Sequence, residues 1–368
     1  MVNDFCRYLS NSYQLHSNGR NLTYSPCCFF NGKRLDVLAD DFVTKKLRIS
    51  EISDWTPECS HCANIEQHSV YDAQKYKSPR IASFEKIPDG IIDDSPVRVE
   101  LLIDITCNAA CIMCGPSSST TWRKQNVKFG ITNFHDVPDI INPLDLFNKF
   151  RERYSLSNIV DLHFLGGEPL LTDTPRNILM LIKEEKRGDL SDVIIHFTTN
   201  ATVKPRDSLL ELLSECKQII FHLSIDGVEN RFEYIRYPLR WKTVNNTIDY
   251  ILNLGIVDCS FRVTSTVNPL NIFYYNDLEQ WVVSKFGNNP RYLVGNACTG
   301  VLSLNKTPPL LRDVIMDKYG AEHEITKLLN AHPYTDNSAS IFPETMDKFR
   351  KTNWRLTFPD VVQYFDYN

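Results

Sequence analysis

Six strand-like segments, each followed by a helix-like one, constrain this chain more than any other feature. They are Val97–Asp104, Ile159–Leu165, Val193–Thr198, Ile219–Ile225, Cys259–Thr266 and Arg291–Val294. Periodic stretches between them predict helices at Pro175–Lys186, Asp207–Cys216, Trp241–Leu254 and Asn271–Phe286, the first capped by Asp173 or Thr174 with Pro175 in its first turn. Alternation of this kind specifies a parallel sheet. Six such units predict an α/β fold, a partial (β/α)6 TIM-like barrel. In such a barrel the chemistry falls at the carboxyl ends of the strands, where the βα loops converge.

The chain has 368 residues, more than one ordinary domain, and divides on sequence into 1–95, 96–300 and 301–368, with Asp93-Asp94-Ser95-Pro96 as the first linker. Hydrophobic residues make up 42%, enough to build a core, and the formal charge of −5 provides no basic field for nucleic acid. No apolar run approaches bilayer length, and the amino terminus MVNDFCRYLS lacks the apolar core of a signal peptide. The expectation is a cytoplasmic protein without a membrane partner. Eleven cysteines, clustered as Cys-x-x-Cys and Cys-Cys, point to metal or redox chemistry in a reducing compartment rather than to a disulfide scaffold.

The polar motifs follow the strands, as barrel chemistry requires. After the first strand comes Cys107-Asn-Ala-Ala-Cys111-Ile-Met-Cys114. Three thiolates on one short loop can hold three irons of a 4Fe-4S cube and leave the fourth open to a ligand. A zinc knuckle is the competing reading, but structural zinc takes four ligands and no further His or Cys completes the loop locally. Gly166-Gly167-Glu168-Pro169 follow the second strand, Thr199-Asn200 the third, Ser224 and Asp226-Gly227 the fourth, Asn268 the fifth and Cys298 the sixth.

The cysteine spacing after a strand, together with Gly166–Pro169, resembles the radical S-adenosylmethionine (SAM) family. The resemblance implies that Cys107, Cys111 and Cys114 hold a 4Fe-4S cluster whose open iron chelates SAM. It implies that Gly166, Gly167, Glu168 and Pro169 receive the SAM amino group. Glycines remove side chains where backbone approaches a ligand, and carbonyls and a carboxylate accept from an ammonium. Ser224 and Asp226 offer partners for the SAM ribose or carboxylate, although Asp226-Gly227 also reads as an Asx-type turn. Asn200 and Asn268 are further candidates for cofactor binding, and Arg236 and Arg262 for pairing with a carboxylate. Cys298 is a candidate hydrogen-atom donor or extra cluster ligand.

A second cysteine set, Cys6, Cys27-Cys28 and Cys59-Ser-His-Cys62, lies ahead of the barrel. It could bind another iron-sulfur cluster or a zinc ion. This segment resembles the twitch or SPASM auxiliary-cluster module, carried by Cys6, a glycine hairpin at Asn18-Gly19, Pro26-Cys27-Cys28, Cys59 and Cys62, with Cys27 preferred to Cys28. It departs from that pattern by preceding the barrel and by a longer spacing between Gly19 and Cys27. The fold then reads as a radical SAM barrel with a small N-terminal cysteine-rich module and a C-terminal helical extension. In that extension Asp347, Arg350 and Phe358–Asp360 are expected to cover the barrel's open edge.

The resemblance implies reductive cleavage of SAM to a 5'-deoxyadenosyl radical that takes a substrate hydrogen, with flavodoxin or ferredoxin as electron donor. A peptide or protein is the first expectation for substrate, and a sugar, nucleotide or other small molecule the second. A zinc-stabilised binding protein without turnover is the alternative of another class.

Overall fold

The structure is a computed structural model that describes residues 5–17, 21–68, 78–88, 95–130, 142–256, 258–287, 292–336 and 338–366. The six expected strands are present as β4 (Arg98–Leu102), β5 (Asp161–Phe164), β6 (Ile194–Thr199), β7 (Gln218–Ser224), β8 (Cys259–Val267) and β9 (Leu293–Ala297), all parallel to their neighbours. Arg291, the expected start of the last strand, lies outside the described residues. Three strands earlier in the chain extend the sheet: β1 (Ser12–Ser17), β2 (Leu22–Ser25) and β3 (Leu35–Asp36). The order is β3-β2-β1-β4-β5-β6-β7-β8-β9.

The sheet therefore runs past the boundary expected at residue 95. β1 pairs parallel with β4, Tyr13 opposite Val99, while β2 and β3 fold back antiparallel at the edge. Tyr13, Leu15, Leu22 and Tyr24 on these strands are fully buried and belong to the same hydrophobic core as the barrel. β1 and β2 pair as far as Ser17 opposite Leu22; the Asn18-Gly19 hairpin and the Asp93-Asp94 part of the linker lie outside the described residues.

Alternation along each strand separates two faces. The outward face is apolar and meets the helices: Phe164, Phe197, Phe221 and Phe261 stack across four neighbouring strands at 5.3 to 5.8 Å between ring centroids. The helices over it, among them Pro143–Arg151 and Thr174–Glu185, bury Leu146, Phe147, Phe150, Ile178, Leu179 and Ile182 against the strands. The inward face is polar, with Gln14, Arg98, Glu100, Asp161, His163, His196 and His222 on successive strands. At roughly 25 cal/mol per Å² the outward face supplies the burial energy, which leaves the inward face free to carry chemistry.

The helical extension divides its work differently from expectation. Helix Glu324–Asn330 packs on β9, where Ile325 approaches Gly295 and Tyr275 donates to Glu324 at 3.0 Å. Phe358 instead meets the rings of Tyr234 and Tyr274, and Arg350 reaches the cysteine loop, because that loop offers a carbonyl, and Trp122 and Tyr237 beside it two ring faces, to its guanidinium. Among the described residues no helix is long and apolar enough to cross a membrane.

Candidate active site at the carboxyl ends of the strands

The chain leaves β4 through Asp104, and the Asp104–Thr106 backbone meets the loop after β5. Gly167 N–H donates to the Asp104 carbonyl and Glu168 N–H to the Thr106 carbonyl, each at 2.8 Å. The glycines are needed for this contact. A Cβ on Gly166 would lie 2.3 Å from the Asp104 carbonyl oxygen, and one on Gly167 2.2 Å from that of Thr106; Gly166 also has a φ of +112°. Two chain segments meet here without room for a methyl group, and that demand is separate from any ligand's.

The cysteine loop itself is held from every side. Thr120 Oγ1 accepts from Cys107 N–H at 3.1 Å, Thr121 donates to the Cys107 carbonyl, and Ala109 N–H points at Cys107 Sγ at 3.4 Å. Ala110 N–H donates to the Tyr237 carbonyl at 2.6 Å and Ile112 N–H to that of Ile235 at 2.7 Å, bracketing Cys111. Trp122 Nε1 donates to the Cys111 carbonyl at 2.8 Å, and Arg350 to that of Ala110 at 2.7 Å. Cys107 is half-buried, Cys111 buried and Cys114 exposed, and all three are free thiols. Burial pushes the Cys107 thiol up to about 12, whereas a hydrogen bond from Cys114 draws Cys111 down to about 7, helped by Arg236 and Arg350. Three free thiols on one anchored loop, one beside a buried cation, fit an iron-sulfur cluster that needs thiolates. Among the described residues no three His, Cys, Asp or Glu side chains converge on a single metal ion. Each thiolate of a cube binds a different iron, so such convergence is a demand of a one-ion site.

Several candidate side chains are committed within the protein. Glu168 is buried and accepts from Thr199 Oγ1 and Asn200 N–H, both at 2.7 Å, and from Leu170 N–H at 3.2 Å; burial still pushes its carboxyl up to about 7. Asn200 bridges from there to Asn108 in the cysteine loop at 2.8 Å. Pro169 opens the short 3-10 turn Pro169–Leu171. Asp226 accepts from Thr266 N–H at 2.6 Å and pairs with Arg236 at 2.7 Å, so it acts here as a clamp between β7 and β8 ends. Asn268 accepts from Leu270 N–H at 3.0 Å and shapes the turn after β8. Ser224 stays half-exposed at the end of β7, and Arg262 is exposed on β8. Cys298 is 3% exposed, its N–H bonded to the Val267 carbonyl at 2.8 Å, and burial pushes its thiol up to about 12. It is a protonated thiol rather than a thiolate.

The family model described as the radical SAM superfamily matches residues 105–280, from the cysteine loop to the helix before β9. Over those residues, just under half of the chain, it is similar to the radical SAM superfamily. No curated protein matches the chain. Among solved structures, it is similar to native anSMEcpe with bound AdoMet and Cp18Cys peptide, at 16% identity over 64% of this chain and 61% of that one, with a TM-score of 0.40. A second structure of native anSMEcpe, with bound AdoMet, aligns at 16% identity over 64% and 62%, with a TM-score of 0.43. Streptococcus suis SuiB bound to precursor peptide SuiA aligns at 13% identity over 76% of this chain and 57% of that one, with a TM-score of 0.40. The chain thus spans about three fifths of the length of these structures.

The N-terminal cysteines lie at the other end of the barrel. Cys6 packs with Val97, just before β4, and Cys27 and Val160 join the same small core. Cys6, Cys27, Cys59 and Cys62 share one neighbourhood: burial raises each thiol, that of Cys62 to about 11, and the nearby thiolates raise Cys27, Cys59 and Cys62 further. Cys28 faces Glu100 and Arg98 before any thiolate. The five residues of β4 lie between the two cysteine groups, a strand length of about 17 Å at about 3.3 Å per residue.

Between them, sequence reasoning missed a stack of histidines on the inward face. His163, His196 and His222 have ring centroids 5.0 to 5.3 Å apart, and His196 Nδ1 lies 3.0 Å from His222 Nε2. Its signal was one histidine in the interior of each of three successive strands. Burial lowers His163 to about 4 and His222 to about 2; His196 and Arg98 add to the first shift while Glu100 opposes it, and His163, His196, Arg262 and Lys86 add to the second. Unfolded histidine titrates near 6.5, so between about pH 6.5 and 4 the unfolded chain binds protons that the folded chain refuses. Stability falls as pH drops through that window, by up to roughly 1.4 kcal/mol per pH unit for each histidine. Urea midpoints measured at pH 7.5 and 5 should differ in this sense, and the difference should shrink in His163→Gln/His222→Gln; equal midpoints in the wild-type protein would contradict the account.

Proposed function

We propose that the protein is a radical SAM enzyme that cleaves SAM reductively and modifies a substrate by hydrogen abstraction, most directly a peptide or protein. One observation carries the reading: three free thiols on a loop anchored at the carboxyl ends of parallel strands, in contact with the loop of Gly166–Glu168. SAM bound at a reduced 4Fe-4S cluster supplies a 5'-deoxyadenosyl radical. The chain's own part is to hold the ligands and exclude water. Cys107, Cys111 and Cys114 would bind the cluster, and the Gly166 and Gly167 carbonyls would receive the SAM ammonium. The half-exposed Ser224 hydroxyl would meet the SAM ribose or carboxylate. Glu168 and Asn200 would fix those loops through the hydrogen bonds they already make. Cys298 holds its proton and sits near Asp226 beyond β9, as a hydrogen-atom donor would.

The N-terminal cysteines would bind an auxiliary 4Fe-4S cluster through Cys6, Cys27, Cys59 and Cys62. Their place at the amino ends of the strands suits an electron relay, fed by flavodoxin or ferredoxin in a reducing cytoplasm, better than ligation of substrate at the opposite rim. Preference for a peptide rests on the resemblance of this cysteine set to auxiliary-cluster modules; a small-molecule substrate is the alternative. Iron and sulfide counted after anaerobic reconstitution test the arrangement. About eight irons per chain, falling to about four when Cys59 and Cys62 are replaced by Ser, is the expected result. About four irons in both proteins removes the auxiliary cluster, and zinc recovered with the wild type would give that site to zinc.

A further inference from the structure

We propose that Arg236 serves the cluster rather than the SAM carboxylate: its guanidinium, fixed by Asp226, sets the charge around the Cys111-bound iron and raises its reduction potential. The inference rests on the proposed cluster at Cys107, Cys111 and Cys114.

Residue 236 lies opposite residue 111. Hydrogen bonds from Ala110 N–H to the Tyr237 carbonyl and from Ile112 N–H to that of Ile235 pair the two backbones on either side of Cys111. The pairing directs the Arg236 side chain along the loop, and its Nη1 lies 3.8 Å from Cys111 Sγ. Nε of the same guanidinium sits 2.7 Å from Asp226, whose carboxylate is itself pinned by Thr266 N–H. Arg236 is 8% exposed, so its charge is screened little by solvent. A carboxylate already occupies one edge of the fork, and the sulfur faces the other. The residue is thus a buried cation aimed at a cluster ligand, held by an acid on its far side.

A second cation supports the same cysteine. Arg350, from the C-terminal extension, donates to the Ala110 carbonyl and lies between the rings of Trp122 and Tyr237, 4.9 and 4.8 Å from their centroids. Reduction adds negative charge to the cluster and its sulfurs. Hydrogen bonds to sulfur and nearby positive charge favour the reduced form. Arg236 therefore acts as a positioning residue whose effect is read in the potential, with Arg350 contributing less because it touches a carbonyl and not a sulfur.

A redox titration of the reconstituted protein, with dithionite and mediators as the one-electron source, tests this. The electron paramagnetic resonance signal that changes on adding SAM identifies the relevant cluster, and the titration is run without SAM. The Asp226→Asn/Arg236→Gln protein removes both charges of the pair together, so no unpaired ion is left buried. It should hold the same iron as wild type while its oxidised-to-reduced ratio at fixed potential rises at least tenfold, which is about 59 mV for one electron. Arg236→Lys keeps the charge but cannot reach Asp226 and Cys111 together, so its midpoint should shift in the same direction by less, and Arg350→Gln by less again. An unchanged midpoint in Asp226→Asn/Arg236→Gln, with weakened SAM binding, overturns the proposal and assigns Arg236 to SAM. If the double variant takes up no iron, Arg236→Lys decides, and a wild-type midpoint there overturns the proposal. Wild-type protein without iron at the three cysteines sinks the proposed function instead, so the two failures are distinct.

Discussion

Cys111→Ala protein, reconstituted anaerobically and supplied with dithionite and SAM, should form no 5'-deoxyadenosine above the cluster-free background. Cys111 is the buried member of the three cysteines, the one whose sulfur lies 3.8 Å from the Arg236 guanidinium, and the one whose carbonyl and flanking amides are tied to Trp122, Ile235 and Tyr237. Its replacement removes one of the three thiolates available to a cube and leaves the buried Arg236 guanidinium facing a methyl group. Two remaining cysteines, one of them exposed, should not retain the cluster, so iron should fall by about four per chain. The fold should survive, because the loop's backbone hydrogen bonds do not use the Cys111 sulfur. A far-ultraviolet spectrum unchanged from wild type would show that the loss is one of chemistry. Deoxyadenosine production retained in this variant would remove the radical SAM reading of the loop.

The second large effect belongs to a residue with no functional atom. Gly167→Ala would place its Cβ 2.2 Å from the Thr106 carbonyl oxygen and 2.7 Å from the carbonyl carbon of Ile105. Both are backbone atoms, so no side chain can turn away. The 104–106 segment must move, and Cys107 follows it directly in the chain. We expect a loss of stability of about 3 kcal/mol, together with impaired cluster loading even under conditions where the protein stays folded. Gly115→Ala is the control, since a Cβ there meets nothing within 4 Å, on the same loop one residue past Cys114. Urea midpoints and iron content measured on both variants decide the point. If Gly167→Ala is as stable as Gly115→Ala and loads iron normally, the contact between the two loops does not position the cysteines.

Much of the fold follows from local chemistry. The six barrel strands are legible because each is a short apolar run bounded by polar residues and followed by a helical period, and the structure shifts their ends by only a few residues. β1 to β3 escaped the sequence reading because they are short. SYQLHS carries more polar than apolar residues, since Gln14 and His16 face the polar inside of the sheet. Nothing within that segment names its partner, which lies more than eighty residues further along the chain.

The site divides in the same way. Sequence by itself determined which residue types stand at the carboxyl ends of the strands, because a strand and the loop after it are contiguous in the chain. It thus located Cys107, Cys111, Cys114 and the Gly166–Pro169 loop. Only the tertiary structure decided what those residues touch. It commits Glu168 and Asn200 to bonds between loops, turns Asp226 toward Arg236, and makes Gly166 and Gly167 obligatory for a backbone contact. It brings Arg350 to a carbonyl 240 residues away and stacks three histidines from three strands. A hydrogen bond or ion pair depends on position in space. When its partners come from separate loops, their distance is set by how strands and helices pack, and no local pattern in the chain records it.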